Sequence, residues 1–460
     1  MAIVSDYGAE PTFDPASDSL RAMLANSGDR SAVEHFLCNQ LRRLPAVDFQ
    51  DQLELSEGKI GQRILLKHNG RIVGHIHLRF REVGWGKSRL LTCYCGALDL
   101  LPKFQNRWVV SAMLREIEGI VRDRRAVVVR ANLTDIAQRS IAPLWPFHWF
   151  ASSDFRRLEA NPRAILAEIA IRAESASAFD QLEYSRHCQA INIRPFRQME
   201  LSALMRIYRL YENNGYGFWK RPEQYWQWLV SRSSGAQIIV AVDHQKKRGI
   251  KQRGGKIVAY AVVCGDQILE ILGEPSQVIA TEQLLKRICA DAIEQNFRSL
   301  TVATTDPGHR LAELCAAAQA ATVQHSCSDH HTVIIGLPSL KLLVRRLGPE
   351  LLRRLRVTQT EGVATLGWGS EQHSSRLVVS EKGARLRDAD AGPDRLICSQ
   401  QIWMRLLLGE LDASAAVSGN LLEASTPRAR RLAEILFPQL PVWQGAWDHF
   451  INSSTSPRDF

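Results

Sequence analysis

A chain of 460 residues that is 45% hydrophobic and 23% charged has the balance of an ordinary globular protein and enough length for about two to four domains. No apolar run approaches the roughly 18–20 residues that cross a bilayer, which excludes a membrane-spanning helix. The net charge of +10 would suit nucleic acid, but the basic residues are dispersed. The densest runs, His244–Lys256 and Leu343–Arg356, read as a solvated hairpin loop and the outer face of an amphipathic helix, so no nucleic-acid partner is expected.

Residues 1–18 hold neither a basic stretch nor an apolar one. They predict a disordered leader rather than a secretory signal, and a cytoplasmic location. Nine cysteines, an odd number scattered through apolar segments, argue against a disulfide framework. Cys93 and Cys95 share a strand face but lack the second pair a zinc site needs. The cluster from His325 to His331 reads as a polar strand end, and no metal is expected.

Helical spacing of Ala32, Val33, Phe36, Leu37 and Leu41 predicts a helix within residues 15–45. Two strands follow, Arg63–His68 and Arg71–Phe80, joined by Asn69-Gly70, a strong hairpin signal. His75 and His77 point to one side of the second strand, which reads as the polar face of a half-exposed strand. The stretch Leu90–Arg125 then organises the first half of the chain. It predicts a buried strand over Leu91–Leu100, a polar turn over Pro102–Arg107, and a helix. Val109, Ala112, Met113, Ile117, Ile120 and Val121 form the apolar stripe of that helix, with Arg115, Glu116, Arg122 and Asp123 opposite. The first N–H groups of such a helix point into the turn, where they and the helix dipole favour an anion such as phosphate. A strand over Ala126–Asn132, a turn at Thr134-Asp135 and a helix ending near Leu144–Phe150 follow.

This stretch resembles the GNAT acetyltransferases. They hold the pyrophosphate of acetyl-CoA in a turn of pattern Gln/Arg-x-x-Gly-x-Gly/Ala after a Pro-ended strand. The aligned run is Gln105-Asn106-Arg107-Trp108-Val109-Val110, preceded by Leu98, Leu100 and Pro102. Trp108 and Val110 stand where the family has small residues, which let backbone amides reach the phosphates. An indole at 108 would occupy space the cofactor needs. In the family a Tyr at the end of the last helix protonates the departing thiolate. Here Trp145 takes that place, and an indole N–H is no general acid at ordinary pH. The resemblance implies that Leu98 and Leu100 present backbone groups to the pantetheine arm, that Ser140 contacts it, and that the amides of Gln105 to Val110 hold the pyrophosphate.

After a connector predicted over about 151–190, the pattern recurs. Gly255–Val263 parallels Gly70–Leu78, and later segments parallel the helix and strand of the first half, making an internal repeat of domain size. Its turn is Gly273-Glu274-Pro275-Ser276. Glu274 has the wrong sign for an anion site, so this copy is expected to be structural. From about Leu340 the chain predicts a helix (Leu340–Arg356), strands (Gly362–Trp368, Arg376–Ser380) and helices near Ser399–Leu408 and Pro427–Leu436. With Gly409, Gly419, Phe437-Pro438, Trp443 and Asp448-His449-Phe450, this part resembles the sterol-carrier-like third domain of the enhanced-intracellular-survival GNAT subfamily.

The resemblance implies an α/β (α+β) chain: a leader (1–18), a GNAT-like mixed-sheet domain (19–160), a degenerate GNAT-like domain (161–337) and a sterol-carrier-like α+β domain (338–460). It implies an acetyl-CoA-dependent N-acetyltransferase acting on a small-molecule or protein amine, and it admits a homo-oligomer. In that subfamily the C-terminal carboxylate acts as base, a role that falls here to Phe460. The alternative is a catalytically silent protein that binds a ligand or partner, its CoA groove closed by Trp108, Val110, Trp145 and Trp149.

Overall fold

The computed structural model describes residues 20–41, 63–96, 98–133, 144–145, 147–152, 156–175, 177–232, 235–244, 255–302, 322–325, 332–358, 363–369, 374–443 and 445–450. They fall into two compact units. The first comprises Met1–Arg79, Cys95–Ile120 and Pro143–Pro146, and the second Phe80–Tyr94, Val121–Ala142 and Phe147–Phe460.

In the first unit, β1 (Arg21–Leu24) pairs antiparallel with β2 (Arg63–His68). β2 pairs in turn with the first part of β3 (Arg71–Trp85), placing Leu65 opposite His75. The hairpin closes through Asn69 and Gly70, both at positive φ (50° and 77°), as a two-residue type I′ turn demands. The predicted N-terminal helix is shorter than its periodicity suggests. Residues 21–24 form β1 instead, and α1 (Arg30–Glu34) continues into a π-helical turn over His35–Gln40. Val33, Phe36 and Leu37 from this segment pack on Ala25, Leu65 and Ile72. β4 (Ser88–Cys95) gives only Cys95 to this unit. The two-residue β5 (Asp99–Leu100) returns to β3, with Gly74 opposite Leu100 and His75 opposite Asp99. A short 3-10 turn, Pro102–Phe104, leads into α2 (Arg107–Asp123), which belongs here as far as Ile120. Val109, Val110, Met113, Leu114 and Ile117 are its buried residues in this unit, close to the predicted stripe.

The second unit holds the strand order β4, β6 (Val128–Leu133), β16 (Thr332–Leu337), β7 (His148–Ser152). The predicted helix end at Leu144–Phe150 is corrected here: His148–Ser152 is a strand. Phe150 alone of its five residues is buried, and β16 supplies the partner, with Phe150 opposite Ile335. The predicted connector is also corrected, because it contains β8 (Arg156–Ala160), α3 (Pro162–Ser175) and α4 (Ala178–Ala190). In α3 only Pro162, Ile165 and Ile169 are buried, a stripe too thin to read from sequence.

A second sheet runs β15 (Thr322–His325), β8, β14 (Leu300–Val302), β13 (Gln267–Gly273), β12 (Lys256–Cys264), β11 (Gln237–Asp243), β9 (Ile191–Pro195). All its pairings are antiparallel except β13 with β14. The basic run near 250 does connect two antiparallel strands, β11 and β12, although residues 245–254 lie outside the described residues. Ile257 to Val262 are buried on both sheet faces. α5 (Leu201–Glu212) and α7 (Val278–Glu294) pack on that sheet, with β10 (Tyr216–Trp219) and α6 (Glu223–Arg232) between them in the chain. The pairing crosses the sequence boundaries expected at 160 and 337. β8 lies in the second sheet, and β16 lies between β6 and β7 of the first. Local pattern identifies a strand, but its partner is decided by tertiary packing.

After β16, α8 (Leu340–Val357) packs on a third sheet. Its order is β19 (Gly383–Arg387), β18 (Ser374–Ser380), β17 (Ala364–Gly369), β20 (Arg395–Ile397), β21 (Glu423–Ala424). α9 (Gln400–Leu407), α10 (Ala413–Ser418), α11 (Pro427–Leu436) and α12 (Ala446–Phe450) complete the unit. Each of α9, α10 and α11 starts on a side-chain cap, from Ser399, Asp412 and Thr426 respectively. Trp403 stacks on Trp368 with centroids 5.7 Å apart and meets the edge of Phe437. Among the described residues no helix is long and apolar enough to cross a membrane.

Candidate functional site

The strand–turn–helix of the first unit places most of the expected cofactor residues together. Leu98 is half-buried, Leu100 is buried in β5, and residues 105–110 form the turn and the first helical residues of α2. Lys103, Gln105, Arg107 and Trp108 are exposed, and α2 has no acidic residue in its first turn. Two cations beside a 17-residue helix N-terminus suit an anionic group. Trp108 is 47% exposed, so its indole does not pack into a closed core. Val110 does, at 4% exposure.

Part of the turn's hydrogen-bonding capacity is used within the chain. Asn106 caps α2 by accepting the Val109 amide on Oδ1 at 3.0 Å. The amides of Gln105, Asn106 and Val110 donate to the carbonyls of Pro102, Phe104 and Asn106. Gln105 Nε2 donates to the Leu100 carbonyl at 3.1 Å. Ser140 and Phe460 lie outside the described residues. Trp145 is buried.

Directly beside this strand lies a buried polar chain that the alternation in β3 only half revealed. His75, read from sequence as part of a half-exposed polar face, is 3% exposed. Arg63 Nη1 lies 2.8 Å from His75 Nε2, and His75 Nδ1 lies 3.3 Å from Asp99 Oδ2. A guanidinium can only donate, so Nε2 accepts and the ring proton of the neutral imidazole sits on Nδ1, facing the carboxylate. Burial and the nearby Arg79 pull Arg63 down to about 10, against the attraction of Asp99. The guanidinium therefore stays charged at neutral pH.

Within the second unit, a cavity of about 60 Å³ is lined by Trp85, Tyr94, Arg130, Ser152, Glu410 and Trp443 among others. Ser152 donates to Glu410 Oε1 at 2.7 Å. The second-copy turn is filled by its own charges. Glu274 is held by Arg206 and Lys256; burial alone would raise its pKa, but the hydrogen bonds from Lys256 and Arg206 bring it below the usual carboxylate value.

No protein-family model matches the chain, and no curated protein matches it in sequence. Its likeness lies in structure. A protein from Enterococcus faecalis, described as a conserved protein of unknown function and probable N-acyltransferase, superposes with a TM-score of 0.63 at 11% identity, over 93% of this chain and 98% of the other. A GCN5-related N-acetyltransferase from Kribbella flavida gives 0.59 at 13% identity, over 92% and 98%. The chain has the GNAT fold. Eis1 from Mycobacterium abscessus is similar as well, with a TM-score of 0.56 at 13% identity, over 91% and 97% of the two chains.

On that GNAT fold the sequence located the turn but missed the groups wired around the sheets. Arg63 and Asp99 each sit in an apolar strand pattern, where a lone charge was the available signal. Arg221, Glu270 and Asp448 form a second buried cluster in the second unit. Arg221 binds Glu270 through Nη1 and Nη2 (2.9 and 2.7 Å) and Asp448 through Nε and Nη2 (3.0 and 2.6 Å). Tyr260 donates to Glu270 at 2.6 Å, and the guanidinium carbon lies 4.1 Å from the Tyr208 ring centroid. Burial disfavours the charged guanidinium, but Asp448 and Glu270 outweigh it and push its pKa further up.

Proposed function

We propose that the chain is an N-acyltransferase that takes acetyl-CoA as co-substrate and passes the acetyl group to the nitrogen of a small-molecule or protein amine. The observation that carries this reading is the exposed turn at 102–108. A helix N-terminus and two cations, Lys103 and Arg107, converge there directly after the β5 strand. The N-acetyltransferase descriptions of the structural neighbours support it.

Bound acetyl-CoA would supply a thioester, a carbonyl already activated for attack by an amine. The chain's part is then orientation, which turns a bimolecular attack into an effectively unimolecular one. Backbone groups of Leu98 and Leu100 align the pantetheine arm. Residues Gln105, Asn106, Arg107, Trp108, Val109 and Val110 hold the pyrophosphate at the turn. The proton released as the amine nitrogen becomes an amide leaves to water. Trp145 offers no proton to the thiolate; a thiolate is a tolerable leaving group, and water supplies that proton. We read residues 338–460, whose described part is a five-stranded sheet with flanking helices, as a sterol-carrier-like domain in an architectural role.

A silent ligand-binding protein is the second reading. It is favoured by the hydrogen bond from Gln105 to the Leu100 carbonyl and by the Asn106 cap, which occupy groups the cofactor would use. A thermal shift with acetyl-CoA and desulfo-CoA separates the two, since a ligand specific to the folded state stabilises it by RT ln(1 + [L]/Kd). A rise in midpoint supports the enzyme, and none at millimolar cofactor supports the silent protein.

A further inference from the structure

We propose that Asp99, His75 and Arg63 form a positioning relay that fixes the strand at residues 98–100 to receive the pantetheine arm of an acyl-CoA; this rests on the acyl-CoA reading above. β5 is two residues long and has few backbone bonds with which to hold its register. Its two residues are anchored from opposite faces of β3. Asp99 reaches His75, directly opposite it in register. Leu100 seats over Gly74, where an added Cβ would stand 2.5 Å from Leu100 Cδ2 and 3.1 Å from Leu66 Cβ. One further backbone bond, from the Leu101 amide to the Val73 carbonyl at 3.0 Å, closes the strand.

The relay extends this anchoring across three strands, from Arg63 on β2 through His75 on β3 to Asp99 on β5. Arg63, Leu65, His75 and Asp99 share one sheet face by register, and the side chains of all four are buried. A buried cation and a buried carboxylate separated by an imidazole that donates to one and accepts from the other have one low-energy arrangement. That arrangement sets the backbone of residues 98–100 to within the tolerance a cofactor strand requires. A packing role alone would be served equally well by apolar residues, without the cost of burying two charges.

The test measures desulfo-CoA affinity by calorimetry on the full chain, with the urea midpoint of each ligand-free variant recorded separately. His75→Gln can still donate at one end and accept at the other, whereas His75→Leu can do neither. The relay expects His75→Leu to weaken desulfo-CoA at least tenfold and His75→Gln to stay within threefold of wild type. Asp99→Asn keeps the shape and removes the charge; it should weaken binding at least threefold, and it decides the matter should His75→Leu fail to melt cooperatively. Wild-type affinity in folded His75→Leu, or in Asp99→Asn where His75→Leu does not fold, overturns the relay while leaving the acyl-CoA reading intact. Absence of binding by the wild type overturns both.

Discussion

Arg221 and Asp448, 227 positions apart in sequence, join through two hydrogen bonds of 3.0 and 2.6 Å at a place from which solvent is excluded. Glu270 completes the site from the other side of the guanidinium. Deleting one member of such a cluster strands the others. Asp448→Ala should therefore cost about 3–5 kcal/mol in urea unfolding. A loss below about 1 kcal/mol would mean that water replaces the carboxylate.

Gly217 supports the same C-terminal segment by leaving room. It sits at φ +85°, and an added Cβ would run into the Trp443 carbonyl. The Trp443 amide donates to Tyr216 at 2.7 Å, which holds the two segments together. Gly217→Ala combines backbone strain with overpacking and should destabilise by about 2–3 kcal/mol, read as a lower urea midpoint at unchanged slope.

Glu350 provides a pH signature. Its side chain is fully buried and accepts hydrogen bonds from Arg353, Arg354, Tyr216 and the Lys87 amide. Burial alone would raise its pKa, but those donors bring it from 4.5 down to about 2. A depressed carboxylate contributes stability that is complete above its unfolded value and is lost as pH falls through the folded one. Wild type should therefore exceed Glu350→Gln by roughly 3 kcal/mol above pH 4.5, and the gap should close between pH 4.5 and about 2. A gap independent of pH over that window would show that Glu350 acts by shape alone.

Asn106 separates helix capping from anion binding. Asp caps as well as Asn, so Asn106→Asp should keep the urea midpoint, while Asn106→Ala should lose about 1 kcal/mol. The new charge at the turn should weaken desulfo-CoA at least tenfold. Equal affinity in Asn106→Asp and wild type would place the pyrophosphate elsewhere.

Local chemistry made much of the fold legible. Asn69-Gly70 gave the hairpin, the stripe from Val109 to Val121 gave α2, and Pro427–Leu436 gave α11. Partner choice was hidden. Thr332–Leu337 reads as a strand, but nothing local says that it pairs with Val128–Leu133 and His148–Ser152. Pairing of Arg221 with a carboxylate 49 positions away and another 227 away is equally invisible to periodicity. At the site, the turn itself followed from Pro102, Gln105 and the start of α2. The burial of His75 did not, because a period of two tells which residues share a face but not whether a helix covers it.

Calorimetric titration of the intact wild-type chain with desulfo-CoA tests the central claim most directly. The account expects saturable binding at one site per chain, with a thermal midpoint that climbs with ligand concentration. No heat of binding and an unmoved midpoint at millimolar desulfo-CoA would contradict it.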